Sequence, residues 1–350
     1  MPLTQRPWSA NTYLLPKAWF RCHVLPLRKG DISSLKKYVN GFIFADQYEK
    51  PKDVIKYKAR MEGGLGMHNI ECKADAMLCK TFMDLASQSK FHGSLLFNAV
   101  FQYYILDNHN IPDPGMLSAY NKDTINKIKL AKERNQDIIG MDSKAWYRYF
   151  LEMSVLKKEE PEADGTSSFV SILCPSEEKQ PDLDWITIWE RARMKGLSND
   201  ARSFLFLLLN DLLTTRERQS RTTRNVASPV CILCVSGATD SSLSHSFSAC
   251  AHTEVITSWL VRSINTLETT ISASDIVRLQ FETLNSDDTL VITWLIGETL
   301  RYAWSFRKTG AEIDLDNVKA FLKAQASFLS KSFLFSSTGT KLLSIINQDG

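Results

Sequence analysis

Residues 70–86 read IECKADAMLCKTFMDLA, and in this stretch Ala74, Met77, Leu78, Phe82 and Leu85 recur at intervals of three and four. That spacing places them on one face of an α-helix, with Glu71, Lys73 and Lys80 elsewhere on its surface. The same period appears on both sides of it. Upstream, Ile32, Leu35, Val39, Phe42 and Ile43 form an apolar stripe opposite Lys36 and Lys37, and Asp31 stands ahead of them as an N-cap candidate. Downstream, helical patterns run over 95–106, 123–135, 143–157, 185–193, 200–213, 253–267, 274–284, 289–307 and 315–330. Asn199 or Ser198 is the expected cap of the 200–213 helix. Only 169–173 reads as a short strand. The expected fold is therefore mainly α, with a glycine turn at Gly63-Gly64-Leu65-Gly66 and a proline-broken loop over 108–114.

A chain of 350 residues has room for two or three cores, and 44% hydrophobic against 23% charged residues is the balance of an ordinary globular protein. No apolar run approaches the ~18–20 residues of a membrane span; Phe204 to Leu209 is ended at once by Asn210 and Asp211. The first thirty residues have no continuous apolar core, so no secretory signal is expected. They are acid-free and carry Arg6, Lys17, Arg21, Arg28 and Lys29, as transit peptides do, but Pro2, Pro7, Pro16 and Pro26 are expected to interrupt any helix there. A nuclear or cytoplasmic location follows from these readings and from cysteine use.

The net charge of +3 conceals segregation. Residues 1–60 hold twelve Lys/Arg against four Asp/Glu, and residues 185–225 hold eight against four. Between them, 158–184 hold two against eight. Two basic segments around an acidic spacer suit a polyanion, although solvated helix faces give the same pattern. Trp8, Tyr13, Trp19 and Phe20 lie among the first basic residues, where aromatics either stack on bases or pack in a core. In the second segment Arg216, Arg218, Arg221 and Arg224 alternate with hydroxyl residues, a pattern for phosphate contact or for a solvated helix end.

Seven cysteines in so long a chain do not read as a disulfide framework. Cys22, Cys72, Cys79 and Cys174 are isolated and expected to be buried as small apolar groups. Cys231-x2-Cys234 and His245-x4-Cys250 instead bring three thiols and an imidazole within twenty residues. Sulfur and nitrogen donors in this number suit tetrahedral Zn²⁺, and four protein ligands leave no open position for catalysis. His252 is a spare donor. No P-loop, GxSxG, HExxH or dinucleotide fingerprint is present, so no catalytic residue is assigned.

Several of these segments together resemble the region after the polymerase palm in LINE-type (non-LTR) retrotransposon reverse transcriptases. They are Tyr13 to Trp19, Lys36 to Phe44 (KKYVNGFIF), Gly63 to Ile70 (GGLGMHNI), and Trp185-x3-Trp189 with Ser203 to Phe206 and Leu212 to Arg216. The CCHC pattern follows with Phe247 inside it and Trp259 beyond it, then Thr293-Trp294 through Trp304-x2-Arg307. The similarity is colinear from about residue 8 to 330. It implies a thumb-like remnant over 1–90, a helical connector over 91–157 and an acidic linker over 158–184. A helical lead-in with the zinc knuckle then spans 185–262, and a helical region 263–350. It also implies structural zinc and binding of RNA or target DNA, and a family activity of RNA-directed DNA polymerase. The departures are equally informative. Where the family's turn motif has a pair of aspartates, Asp46 is followed by Gln47, and there is neither a palm nor an endonuclease region. The chain thus reads as a truncated element protein with no polymerase site of its own. Two other roles fit the same residues: an enzyme part needing a palm in trans, and an inert or domesticated helical interaction module with a structural zinc.

Overall fold

The densest apolar ladder forms one of the longest helices of the computed structural model, Ile70–Ser87. The structure describes residues 1–22, 27–45, 51–87, 99–106, 119–134, 138–156, 183–222, 228–234, 245–267, 269–282 and 285–348. Among them there is no β-strand, and the chain is mainly α as read. The strand expected at 169–173, the loop over 108–114, the acidic linker centred on 158–168, Asp46 and Gln47 lie outside the described residues.

The principal helices are α1 (Pro16–Cys22), α2 (Lys29–Phe44), α3 (Ile70–Ser87), α4 (Ala119–Glu133), α5 (Ser143–Leu156), α6 (Trp185–Arg191) and α7 (Asn199–Leu209). They continue with α8 (Arg216–Thr222), α9 (Ala251–Asn265), α10 (Ala273–Arg278), α11 (Ser286–Thr309), α12 (Leu315–Ser330) and α13 (Ser336–Asn347). They belong to two compact units. One comprises Gln5–Asp46 and Gly66–Val170; the other comprises Met1–Thr4, Gln47–Leu65 and Ser171–Gly350. Within the C-terminal unit the Arg60–Glu62 turn packs on α6, and Asn210 donates to the Gly63 carbonyl.

In the N-terminal unit α3 packs on α5. Asn69 caps α3, its side-chain oxygen accepting from the N–H groups of Glu71 (3.1 Å) and Cys72 (3.3 Å), while its own N–H donates to the Tyr147 hydroxyl (2.9 Å). Cys72, Cys79, Phe82, Ile125, Ile128, Trp146 and Phe150 make the core. Cys22, Cys72 and Cys79 are buried, as expected of isolated cysteines, and burial pushes the first two thiols up to about 11. Two readings are corrected. Pro7 does not interrupt a helix but stands in the first turn of Arg6–Ser9, whereas Pro16 opens α1 directly after the break at Leu15, as expected. Asp31 is not the cap of α2 but its third residue, accepting from the Arg28 N–H at 3.3 Å.

In the C-terminal unit Ser198 caps α7, accepting from the Ala201 N–H at 3.0 Å, and Asn285 caps α11 through the Asp288 N–H at 2.8 Å. α7 ends at Leu209, short of 213, because Asp211 takes a positive φ of 55°. α10 likewise stops at Arg278, where Leu279 is left-handed. The helix α13 was not expected from the sequence; its SSTGT opening hides the later Leu342, Ile345 and Ile346, all buried. The Gly63–Gly66 turn follows a short 3-10 turn at Arg60–Glu62. Gly63 has φ 81° and lies flat against Trp189: a Cβ there would sit 2.1 Å from the indole. Arg193 donates to the carbonyls of Arg60 and Met61, fastening the turn.

Candidate metal centre

Cys231, Cys234, His245 and Cys250 converge, with their four donor atoms all within 4.8 Å of one another. Cys234 Sγ is 3.3 Å from Cys250 Sγ and 3.6 Å from His245 Nε2. A tetrahedral ion with bonds of ~2.3 Å to sulfur needs donor separations of ~3.8 Å, so the side chains already stand at ligand spacing. Cys231 and Cys250 are buried and the other two half-buried. The residues between the two pairs, 235–244, lie outside the described residues.

Local backbone explains the convergence. His245 to Ala249 forms a π-helical turn, whose i to i+5 closure brings His245 and Cys250 to one side. Cys250 then ends the turn in extended geometry and opens α9, its carbonyl accepting from Thr253 (2.9 Å) and Glu254 (2.8 Å). A thiolate there faces the positive end of a helix. Between the ligands, Phe247 is buried against Phe204 of α7 and Trp304 of α11, with ring centroids 6.1 and 5.7 Å away. Thr257 of α9 donates to the Phe247 carbonyl. The ligand segment is thus tied to the C-terminal unit through Phe247, which packs on α7 and α11. His252, the spare donor, stands on α9 and is not part of the cluster.

Burial, sulfur contacts and Arg307 shift two of the thiols in opposite directions. Burial, and then hydrogen bonds with Cys250 and Cys231, push the Cys234 thiol up to about 12. Burial also opposes ionisation of Cys250, but hydrogen bonds from Arg307 and Cys234 outweigh it and hold that thiol below its ordinary range. Three sulfurs at such spacing resist ionising together unless a positive ion is shared among them. The four side chains have the donors and the spacing to bind a metal ion. Sequence reasoning missed Arg307, whose Nη2 donates to Cys231 Sγ at 3.2 Å from 76 residues away. The Trp304-x2-Arg307 segment was conspicuous, but nothing local tied it to a thiol.

The arginine segment next to the cluster is divided. Arg216 and Arg218 lie on α8. Arg218 pairs with the Asp211 carboxylate at 2.8 Å and also donates to the Asp211 carbonyl, which leaves it turned inward. Arg221 falls on the same helix, with its side chain outside the described residues, and Arg224 lies wholly outside them. Other members of the basic 185–225 stretch serve backbone carbonyls of the same unit. Arg191 donates to Leu279 (2.8 Å) and Phe281 (2.7 Å), Arg193 to Met61 (3.0 Å) and Arg202 to Met194 (3.1 Å). In the N-terminal unit Trp19 is buried, whereas Trp8, Tyr13 and Phe20 are exposed, as are the neighbouring Lys17 and Arg21. No helix among the described residues is long and apolar enough to cross a membrane. No protein-family model matches the chain, and comparison with curated proteins returned no match.

Proposed function

We propose that the cluster holds one structural zinc ion and that the chain is a non-catalytic nucleic-acid-binding protein of LINE-type reverse-transcriptase descent. The convergence of Cys231, Cys234, His245 and Cys250 carries the reading. Three sulfurs and one imidazole at tetrahedral spacing favour Zn²⁺ over the hard divalent ions, and the closed donor set suits a staple better than a catalyst. The descent rests on the sequence resemblance alone; two of its motifs make contacts within the C-terminal unit. Gly63 of the GGLG turn packs on Trp189, and Phe247 of the CCHC segment packs on Trp304.

Nucleic acid is met chiefly by the N-terminal unit in this reading. Trp8, Tyr13 and Phe20 offer exposed rings beside Lys17 and Arg21, the combination that stacks bases and attracts phosphates. Arg216 and Arg221 of α8 are secondary contributors. RNA and target DNA are the ligand classes, and a nuclear or cytoplasmic compartment keeps the thiols available for metal. A second reading, a helical interaction module with the same zinc, is favoured by Phe328, Phe333 and Leu334, which stand exposed around the α12–α13 connection.

Metal analysis of protein purified without chelator, followed by anisotropy with labelled structured RNA and duplex DNA over a salt series, separates these readings. Zinc near one per chain, with micromolar binding that weakens steeply with salt, is the expected result. Zinc below about 0.3 per chain defeats the staple. Zinc-loaded protein that binds neither nucleic acid at about 50 mM salt leaves the interaction module. Joint Arg216→Ala and Arg221→Ala substitution should flatten the salt slope by about one per lost phosphate contact.

A further inference from the structure

The metal centre is joined to α11 at three consecutive points on one helical face. Trp304 packs on Phe247, Arg307 donates to Cys231 Sγ at 3.2 Å, and Gly310 ends the helix under Ile232, the residue after Cys231. Gly310 is left-handed (φ 72°), and a Cβ on it would lie 2.8 Å from Ile232 Cδ1. The first cysteine pair therefore rests on the carbonyl end of α11. That end carries partial negative charge, a poor support for thiolates.

Charge counting exposes the problem further. Three thiolates and a neutral imidazole around a divalent ion leave one negative charge at a site where Cys231 and Cys250 are buried and Cys234 and His245 half-buried. Arg307, itself only 6% exposed, is a buried cation whose Nη2 donates directly to the Cys231 sulfur. We propose that Arg307 is the charge-compensating positioning residue of this metal centre: its guanidinium neutralises the metal–thiolate cluster and fixes the Cys231 loop to the last turn of α11. The inference rests on the zinc reading and adds a residue to that site. It makes metal loading and the seating of the CxxC loop on α11 one coupled event. Cysteine-ligated metals depend on such outer hydrogen bonds, whose loss commonly costs about 10–100-fold in affinity.

The test is a zinc competition titration of the full chain, with cobalt(II) spectra reporting the ligand field. Arg307→Met keeps the apolar stem and removes the charge, and should weaken zinc binding about 10–100-fold. Arg307→Lys restores the charge and should recover to within about tenfold of the parent. The discriminating step repeats Arg307→Met on a Cys234→His background, whose two thiolates and two imidazoles leave a divalent ion neutral. Compensation predicts that the penalty there falls to about threefold or less, while a packing role predicts the same penalty in both backgrounds. An unchanged penalty, or an Arg307→Met affinity within about twofold of the parent, overturns the assignment. Parent protein that binds no zinc overturns the staple itself, and the assignment with it. If Arg307→Met does not fold in zinc, Arg307→Gln against Arg307→Lys makes the same comparison; equal affinities would reject compensation.

Discussion

Alanine at Gly63 should destabilise the C-terminal unit more than any surface substitution, because two separate costs fall on one methyl group. The backbone there sits at φ 81°, and placing an L side chain in that region costs about 1 kcal/mol. The new Cβ would also stand 2.1 Å from Trp189 Cε2 and 2.4 Å from both Cζ2 and Nε1. Trp189 has nowhere to retreat: it is 2% exposed and lies against Trp185 and Phe206. Forcing it aside is an overpacking event worth about 1–3 kcal/mol. The hydrogen bond from Asn210 Nδ2 to the Gly63 carbonyl (3.3 Å) would be disturbed as well. The expected total is about 2–4 kcal/mol. Urea unfolding followed by tryptophan fluorescence measures it, with hydrogen exchange used to assign the loss to the C-terminal unit. In a Trp189→Leu background the collision term disappears, and Gly63→Ala should then cost only the strain of about 1 kcal/mol. A cost below about 1 kcal/mol in the parent, or equal costs in the two backgrounds, would refute the account of why this turn is glycine.

Three further outcomes are expected. On the proposed zinc reading, removing metal with a chelator should open the link between Cys231 and Cys250, and closing a loop of that length is worth about 3 kcal/mol. Hydrogen exchange should rise around Phe247 and Trp304 and stay unchanged around Phe150; no change at either place would separate the metal from the fold. His68 is held in neutral form, its pKa lowered to about 4 by burial and then by Lys73. Because the unfolded imidazole takes up its proton near 6.5, its contribution is complete above that pH and is lost as pH falls toward 4. Up to about 3 kcal/mol is at stake, and parallel urea titrations of His68→Phe should show a shallower acid loss than the parent. Ser198→Ala removes the cap of α7 and should cost about 1 kcal/mol by the same urea assay; no change would mean that water replaces the hydroxyl.

Helices were legible wherever an apolar ladder is uninterrupted. The reading of 315–330 coincides with α12, and that of 143–157 differs from α5 by one residue, since both periods are carried by large apolar side chains facing a core. Boundaries failed where the backbone itself decides. Asp211 and Leu279 adopt left-handed conformations that neither residue type advertises, and both helices stop early. α13 was hidden because Ser, Thr and Gly open it, residues that read as a turn until a partner helix covers their far side. In the candidate metal centre the donor types and spacing were readable because the pairs are local, and the π turn that aligns His245 with Cys250 is local too.

By itself, then, the sequence determined a helical chain with isolated buried cysteines and one close grouping of three thiols and an imidazole. Helical period and ligand spacing are short-range properties, written within a few turns of chain. The tertiary structure alone decided what surrounds them. It turned Arg191, Arg193, Arg202 and Arg218 inward onto backbone carbonyls, buried Trp19 while leaving Phe20 exposed, and set Gly63 against Trp189. It also brought Arg307 to the thiols from 76 residues away. Charge and aromatic content state which groups a chain owns, but their partners are fixed only when distant helices pack. A buried cation then takes whichever carbonyl or sulfur the packing presents to it.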